Sequence, residues 1–279
     1  MPDLDLPPPF FILGAPRSGT TLVSAILDSH SRLAVYTESN YYLLFRRDLH
    51  RYGDLGRPAN LQRLISDVRE VIRIQGSMNV PTSEEFLEAL IAPTFEGVLA
   101  TMLQLHARQH GKPRSGEKTP GRHAYVGEIL EKFPQSPVIF AMRDPRDVVL
   151  SMREAFATSL EGAAWAWNDS FLSYQKTSGP VHLLRYEEVV GKPAERSAAL
   201  CALLGEQYEP ELLRFFERMR KVSHAVPLQH RRTLEPVDTR CVGRFRQMPR
   251  RTSNGSSAPA PRGWRRSAMN SPLANRELG

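Results

Sequence analysis

The stretch Phe10-Phe11-Ile12-Leu13-Gly14-Ala15-Pro16-Arg17-Ser18-Gly19-Thr20-Thr21-Leu22 constrains this chain more than any other. An apolar run breaks into a short polar loop and then resumes in helical spacing, which reads as strand, phosphate loop and helix. Gly14 and Gly19 let the backbone turn tightly enough to aim successive N–H groups at an anion. A helix opening near Thr20 adds its N-terminal dipole and unpaired donors. A loop built for ATP carries a lysine where this chain has Thr20, in the pattern G-x-x-x-x-G-K-[ST]. Here the cation sits inside the loop, at Arg17, whose planar fork suits an oxyanion with several equatorial oxygens. Ser18, Thr20 and Thr21 add hydroxyls. The loop therefore fits a nucleotide-borne oxyanion without the magnesium arrangement of ATP sites.

A second segment, Pro137 to Ser151, repeats the logic further along the chain. Pro137-Val138-Ile139-Phe140-Ala141-Met142 is a buried parallel strand by its unbroken apolar run, and Arg143 stands at its end. Asp144 is placed to cap the following helix, Pro145 suits its first position, and Asp147 lies in its first turn. Arg143 and Ser151 have no such structural explanation. Ser151 lies two helical turns beyond Asp144 on the same side, so arginine and hydroxyl can share one phosphate.

Between these segments, Leu33 to Thr37 is a short buried strand ending at Glu38. Ligands gather at the carboxyl ends of strands in open parallel sheets, and a carboxylate there can take a proton from an attacking hydroxyl. Capping of the next helix is the competing role for Glu38. Residues 41–110 read as mostly helical and shape a pocket wall. His50, His106 and His110 within them carry no motif. Ser115-Gly116-Glu117-Lys118-Thr119-Pro120 ends another strand, with a helix opening at Pro120 and Lys118 offering a compact charge. Val181 to Glu188 is a strand closing in a polar turn, and helices follow at about 193–204 and 209–219.

At 279 residues and 41% apolar content the chain can bury a full core. The net charge of +7 belongs to its end: residues 1–242 carry 29 basic and 29 acidic side chains, and eight arginines against one glutamate follow. Nucleic acid is thereby not expected as a partner of the body, the basic tail at 249–279 being the one segment suited to it. That tail is too rich in Arg, Ser and Pro to order itself and is expected to be disordered. No run is long enough to span a membrane, and the acidic, proline-rich start is unlike a targeting peptide, so a cytoplasmic protein is expected. Cys201 and Cys241 are too few for a disulfide framework, and no spacing suggests a metal.

Gly14 to Thr21 resembles the 5′-phosphosulfate loop of sulfotransferases that use 3′-phosphoadenosine 5′-phosphosulfate (PAPS), in the arginine-bearing form of the bacterial and tyrosylprotein-type branch. Arg143 and Ser151, eight apart, resemble the pair that holds the 3′-phosphate of PAPS in that family. The resemblance covers about residues 10–246. It implies a three-layer α/β/α fold with a central parallel sheet of the P-loop type and a helical insertion, about 41–112, after the second strand. The domain would span 1–248. The implied chemistry is direct in-line sulfuryl transfer from PAPS, as co-substrate and without metal, to an acceptor hydroxyl. Catalytic roles fall on Glu38 as base and on Arg17 and Lys118 as charge stabilisers. Cofactor contacts fall on Gly14, Arg17, Ser18, Gly19, Thr20, Thr21, Arg143, Ser151, Tyr186 and Arg244, the last within a late G-R-F-R segment. His123 is a weaker candidate base. Sugar, peptide tyrosine, lipid and small-metabolite hydroxyls all remain open as acceptors. A P-loop kinase or NTPase and a non-catalytic nucleotide-binding protein are the other readings.

Overall fold

The computed structural model describes residues 7–119, 121–222 and 228–247. The proposed tail at 249–279 and the side chain of His123 lie outside them. The chain divides into a compact unit, Met1–Arg244, and a second, Phe245–Gly279. Everything that follows concerns the first.

Five parallel strands form one sheet in the order β2-β3-β1-β4-β5: β1 (Phe10–Gly14), β2 (Leu33–Thr37), β3 (Arg114–Lys118), β4 (Val138–Met142) and β5 (Val181–Arg185). Alternation along β1 explains why it lies at the centre. Phe11 and Leu13 face one core cluster with Tyr36, Leu64, Val68, Leu99 and Phe140, while Phe10 and Ile12 face a second with Ile26, Val35, Ile139, Leu200 and Phe215. A strand apolar on both faces must be covered on both faces, which yields three layers.

The helices are α1 (Thr20–Asp28), α2 (Pro58–Gln75), α3 (Ser83–Glu88), α4 (Phe95–Gln109), α5 (Val126–Lys132), α6 (Pro145–Phe156), α7 (Leu160–Lys176), α8 (Tyr186–Gly191), α9 (Pro193–Leu203) and α10 (Phe215–Val222). The fold class expected from the sequence is the one observed. The insertion after β2 contains α2, α3 and α4, preceded by a π-helical turn at Tyr42–Arg46. The first helix ends at Asp28, where the Ser29 N–H closes onto the Ile26 and Leu27 carbonyls, and one expected boundary shifts: the strand read from Val181 to Glu188 stops at Arg185 because Tyr186 already opens α8. No described helix is long and apolar enough to cross a membrane.

The chain leaves β1 toward β2 on one side of the sheet and leaves β4 toward β5 on the other. A crevice therefore opens beyond the carboxyl ends of β1 and β4, the place where such sheets receive ligands.

Candidate active site

Two arginines from two loops meet in that crevice. Arg17, in the loop after β1, holds left-handed backbone at φ 67°, which turns its side chain toward the loop after β4. Its Nε donates to Ser151 Oγ at 3.1 Å. Arg143, at the end of β4, is buried and stands over the Tyr186 ring with its guanidinium carbon 4.6 Å from the ring centre. It donates to the Cys241 carbonyl and, at 3.4 Å, to the Arg17 carbonyl. Asp147 lies 3.9 Å away as a buried counter-ion, itself accepting from the Gly243 N–H at 2.6 Å. Burial first, and the Arg143 charge second, lower the Arg17 pKa. Two shielded cations side by side repel each other, and a bound anion removes that cost.

Local sequence builds this geometry. Asp144 caps α6, its Oδ1 accepting from the Arg146 N–H at 2.9 Å, and Pro145 starts the helix. α6 then carries Ser151 back to the crevice. Gly19 caps α1 at φ 93°, and a Cβ there would sit 2.5 Å from the Tyr186 ring. At Gly14 a Cβ would lie 2.3 Å from the Ala141 carbonyl oxygen. Burial pushes the Tyr186 hydroxyl up to about 12, so the phenol stays neutral.

On the other flank, Lys118 Nζ donates to Glu38 Oε1 at 2.8 Å. Lys118 is fully buried, whereas the Glu38 side chain is 44% exposed, so the carboxylate is the part of the pair open to an incoming group. Burial lowers the Lys118 pKa, with Glu38 opposing the shift.

Arg17, Gly19, Thr20, Thr21, Glu38, Arg143, Ser151, Tyr186 and Arg244 line one cleft of about 720 Å³. Gly14, Ser18 and Lys118 are buried beside it. Arg244 reaches Glu154 with both terminal nitrogens, at 2.9 and 2.6 Å. The cleft is also walled by residues the sequence reading passed over, among them Asn40, Glu154, Arg232, Asp238 and Cys241. Glu154 carried a signal, since it follows Ser151 by three on one helix face. The segment around Arg232 and Asp238 carried none.

The donors present suit a nucleotide bisphosphate. Ser18 Oγ and Arg143 Nε are buried with no hydrogen-bond partner among the described residues, and the two glycines keep Cβ atoms away from the loop's close approaches to Ala141 and Tyr186.

Residues 8–210 match the model of the Sulfotransferase family. A Caenorhabditis briggsae protein provisionally described as a protein-tyrosine sulfotransferase is 26% identical over 220 residues, 74% of this chain and 69% of that one. An uncharacterised Aquifex aeolicus (strain VF5) protein is 25% identical over 231 residues, 78% of this chain. The chain spans only 28% of that relative's length. Among solved structures, the sulfotransferase domain from the curacin biosynthetic pathway superposes with a TM-score of 0.59 at 22% identity, covering 90% of this chain and 94% of its own. The sulfotransferase domain of the Synechococcus PCC 7002 olefin synthase gives 0.55 at 21%, covering 90% and 92%. These two speak for the fold. The family match spans both loops of the crevice, from β1 through Ser151 to Tyr186, and the chain belongs to the sulfotransferase family.

Proposed function

We propose that the chain transfers the sulfuryl group of PAPS directly to an acceptor hydroxyl. The observation that carries this reading is the convergence of Arg17 and Arg143 on one cleft with Ser151, while the Glu38–Lys118 pair stands at its flank. When bound, PAPS supplies the sulfuryl group and the bisphosphate leaving group. Arg143, stacked on Tyr186, and Ser151 hold the 3′-phosphate, with Arg244 at the edge. The loop from Gly14 to Thr21 holds the 5′ side through its amides and the hydroxyls of Ser18, Thr20 and Thr21. Glu38 accepts the proton of the acceptor hydroxyl as its oxygen bonds to sulfur and the bond from sulfur to the 5′-phosphate oxygen breaks. Arg17 spreads its donors over the transferring oxygens. Protonation of Glu38 weakens its hold on Lys118, whose ammonium then meets the charge growing on the leaving oxygen.

The kinase reading fares worse on the same residues. Thr20 stands where a phosphate-binding lysine would be, and Asp144 is engaged as a helix cap and with Arg146 at 2.6 Å. The acceptor is an alcohol or phenol. The name of the Caenorhabditis relative places peptide tyrosine first in a panel that also holds a sugar, a lipid alcohol and p-nitrophenol.

Calorimetric titration with 3′-phosphoadenosine 5′-phosphate, against ATP with magnesium, tests the donor. Tight binding of the bisphosphate, weakened on the order of 10–100-fold in Arg143→Ala by loss of charge-assisted hydrogen bonds, is expected. Preference for ATP would overturn the reading. Sulfur-labelled PAPS with the panel then identifies the acceptor class.

A further inference from the structure

The turn that carries Glu38 is held from two sides by residues that do not line the cleft. From the sheet, Glu117 of β3, fully buried, accepts from Ser39 Oγ at 2.6 Å and from Thr119 Oγ1. From the insertion, Gln75 at the end of α2 donates through Nε2 to the Glu38 carbonyl at 3.0 Å and to the Ser39 carbonyl at 3.3 Å. Its Oε1 accepts from the hydroxyl of buried Tyr36 at 3.1 Å. The partners fix the amide's orientation, since carbonyls only accept and the nitrogen must face them. Between these anchors Glu38 and Asn40 hold left-handed backbone, at φ 58° and 54°. Such conformations in residues other than glycine persist only where the surroundings over-determine them.

We propose that Gln75 is a positioning residue for Glu38, clamping the 38–39 carbonyls so that the strained turn presents the carboxylate to the acceptor hydroxyl. The inference rests on the reading of Glu38 as the base. Gln75 is absent from the cleft wall, so it acts on catalysis only through the turn. The Glu38 N–H still reaches the Lys118 carbonyl at 2.5 Å and the carboxylate still reaches Lys118, so losing Gln75 loosens the turn without dissolving it. A displacement of about 1 Å at a catalytic group costs on the order of 100-fold in rate.

Gln75→Leu removes both ends of the clamp at similar size, and Gln75→Glu keeps the acceptor for Tyr36 while removing the donor. Hydrogen exchange of the intact protein is read at the Glu38 and Tyr41 amides, alongside bisphosphate titration and kcat with PAPS and the fastest acceptor of the panel. Both variants are expected to exchange faster at those amides and to keep bisphosphate affinity within about 2-fold. Their kcat should fall on the order of 100-fold at constant KM for PAPS. In a Glu38→Ala background Gln75→Leu should cost nothing further. Unchanged exchange at 38–41, or a loss of equal size in the Glu38→Ala background, would overturn the inference. A Gln75→Leu protein with full kcat beside an inactive Glu38→Ala overturns the inference alone, whereas a fully active Glu38→Ala overturns the base assignment with it.

Discussion

Arg17, Glu38 and Asn40 hold left-handed backbone around one cleft, each at a cost of about 1 kcal/mol or more that the rest of the fold must offset. Gly19 shares that region at φ 93° without the steric cost, and its missing side chain is what lets the Tyr186 ring close against the loop. Gly19→Ala is therefore expected to push Tyr186 off Arg143 and lower affinity for the bisphosphate at least about 10-fold by calorimetry. Unchanged affinity would show that the ring is not pinned there. Arg17, Arg143 and Ser151 were readable as candidates because a cation in the glycine loop, a cation at a strand end and a hydroxyl on the matching face of the next helix lacked any structural duty. Arg232 and Asp238 were unreadable for the opposite reason: they reach the cleft only because the chain returns to it late, with no periodicity or loop pattern to announce the return.

At the scale of elements, β1 and β4 were legible because burial on both faces writes an unbroken apolar run. β3, Arg-Ser-Gly-Glu-Lys, is just as buried, yet its polar run showed only as the end of a strand at 115–120 and gave no sign of that burial. Its polar side chains find partners that no local pattern reveals: the Leu204 carbonyl for Arg114, the hydroxyls of Ser39 and Thr119 for Glu117, and Glu38 for Lys118. Gly116 in its middle leaves room for the Phe10 ring, whose nearest atom would lie 2.3 Å from an added Cβ. The helical insertion was recognised as a block, but not its grip on the site through Gln75. One of its helices carries a complete cap: Thr82 Oγ1 accepts from the Glu85 N–H at 3.1 Å, and Glu85 returns the bond to the Thr82 N–H at 2.6 Å. Thr82→Ala is expected to cost about 1 kcal/mol, a fall of roughly 2–4 °C in Tm, with bisphosphate affinity unchanged. A loss of affinity in calorimetry would mean that α3 helps hold the site.

Across the whole molecule, one buried histidine links the insertion to acid stability. His106 on α4 is 5% exposed, its Nδ1 has no hydrogen-bond partner among the described residues, and its ring packs 5.0 Å from Tyr36 and 4.4 Å from His110. Burial, aided by the charges of His110, Lys112 and Arg218, lowers its pKa to about 3. The unfolded chain takes up that proton near pH 6.5 and the native one does not. The contribution is therefore complete above about pH 6.5 and is lost as pH falls toward 3, by about 2 kcal/mol on reaching pH 5. Thermal melts should show a lower Tm at pH 5 than at pH 7, and His106→Leu should flatten that slope. An equal slope in the variant would assign the acid sensitivity elsewhere.

The central position of β1 also bears on how the protein is made. This wholly buried apolar strand leaves the ribosome long before its neighbours: β3 begins at Arg114 and β4 at Val138. At ~5–20 residues per second the nascent Phe10–Gly14 segment has no native sheet partner for on the order of ten seconds. Slower initiation, lower growth temperature or a chaperone that shields the emerging segment should each raise the yield of active enzyme without touching a residue of its final structure.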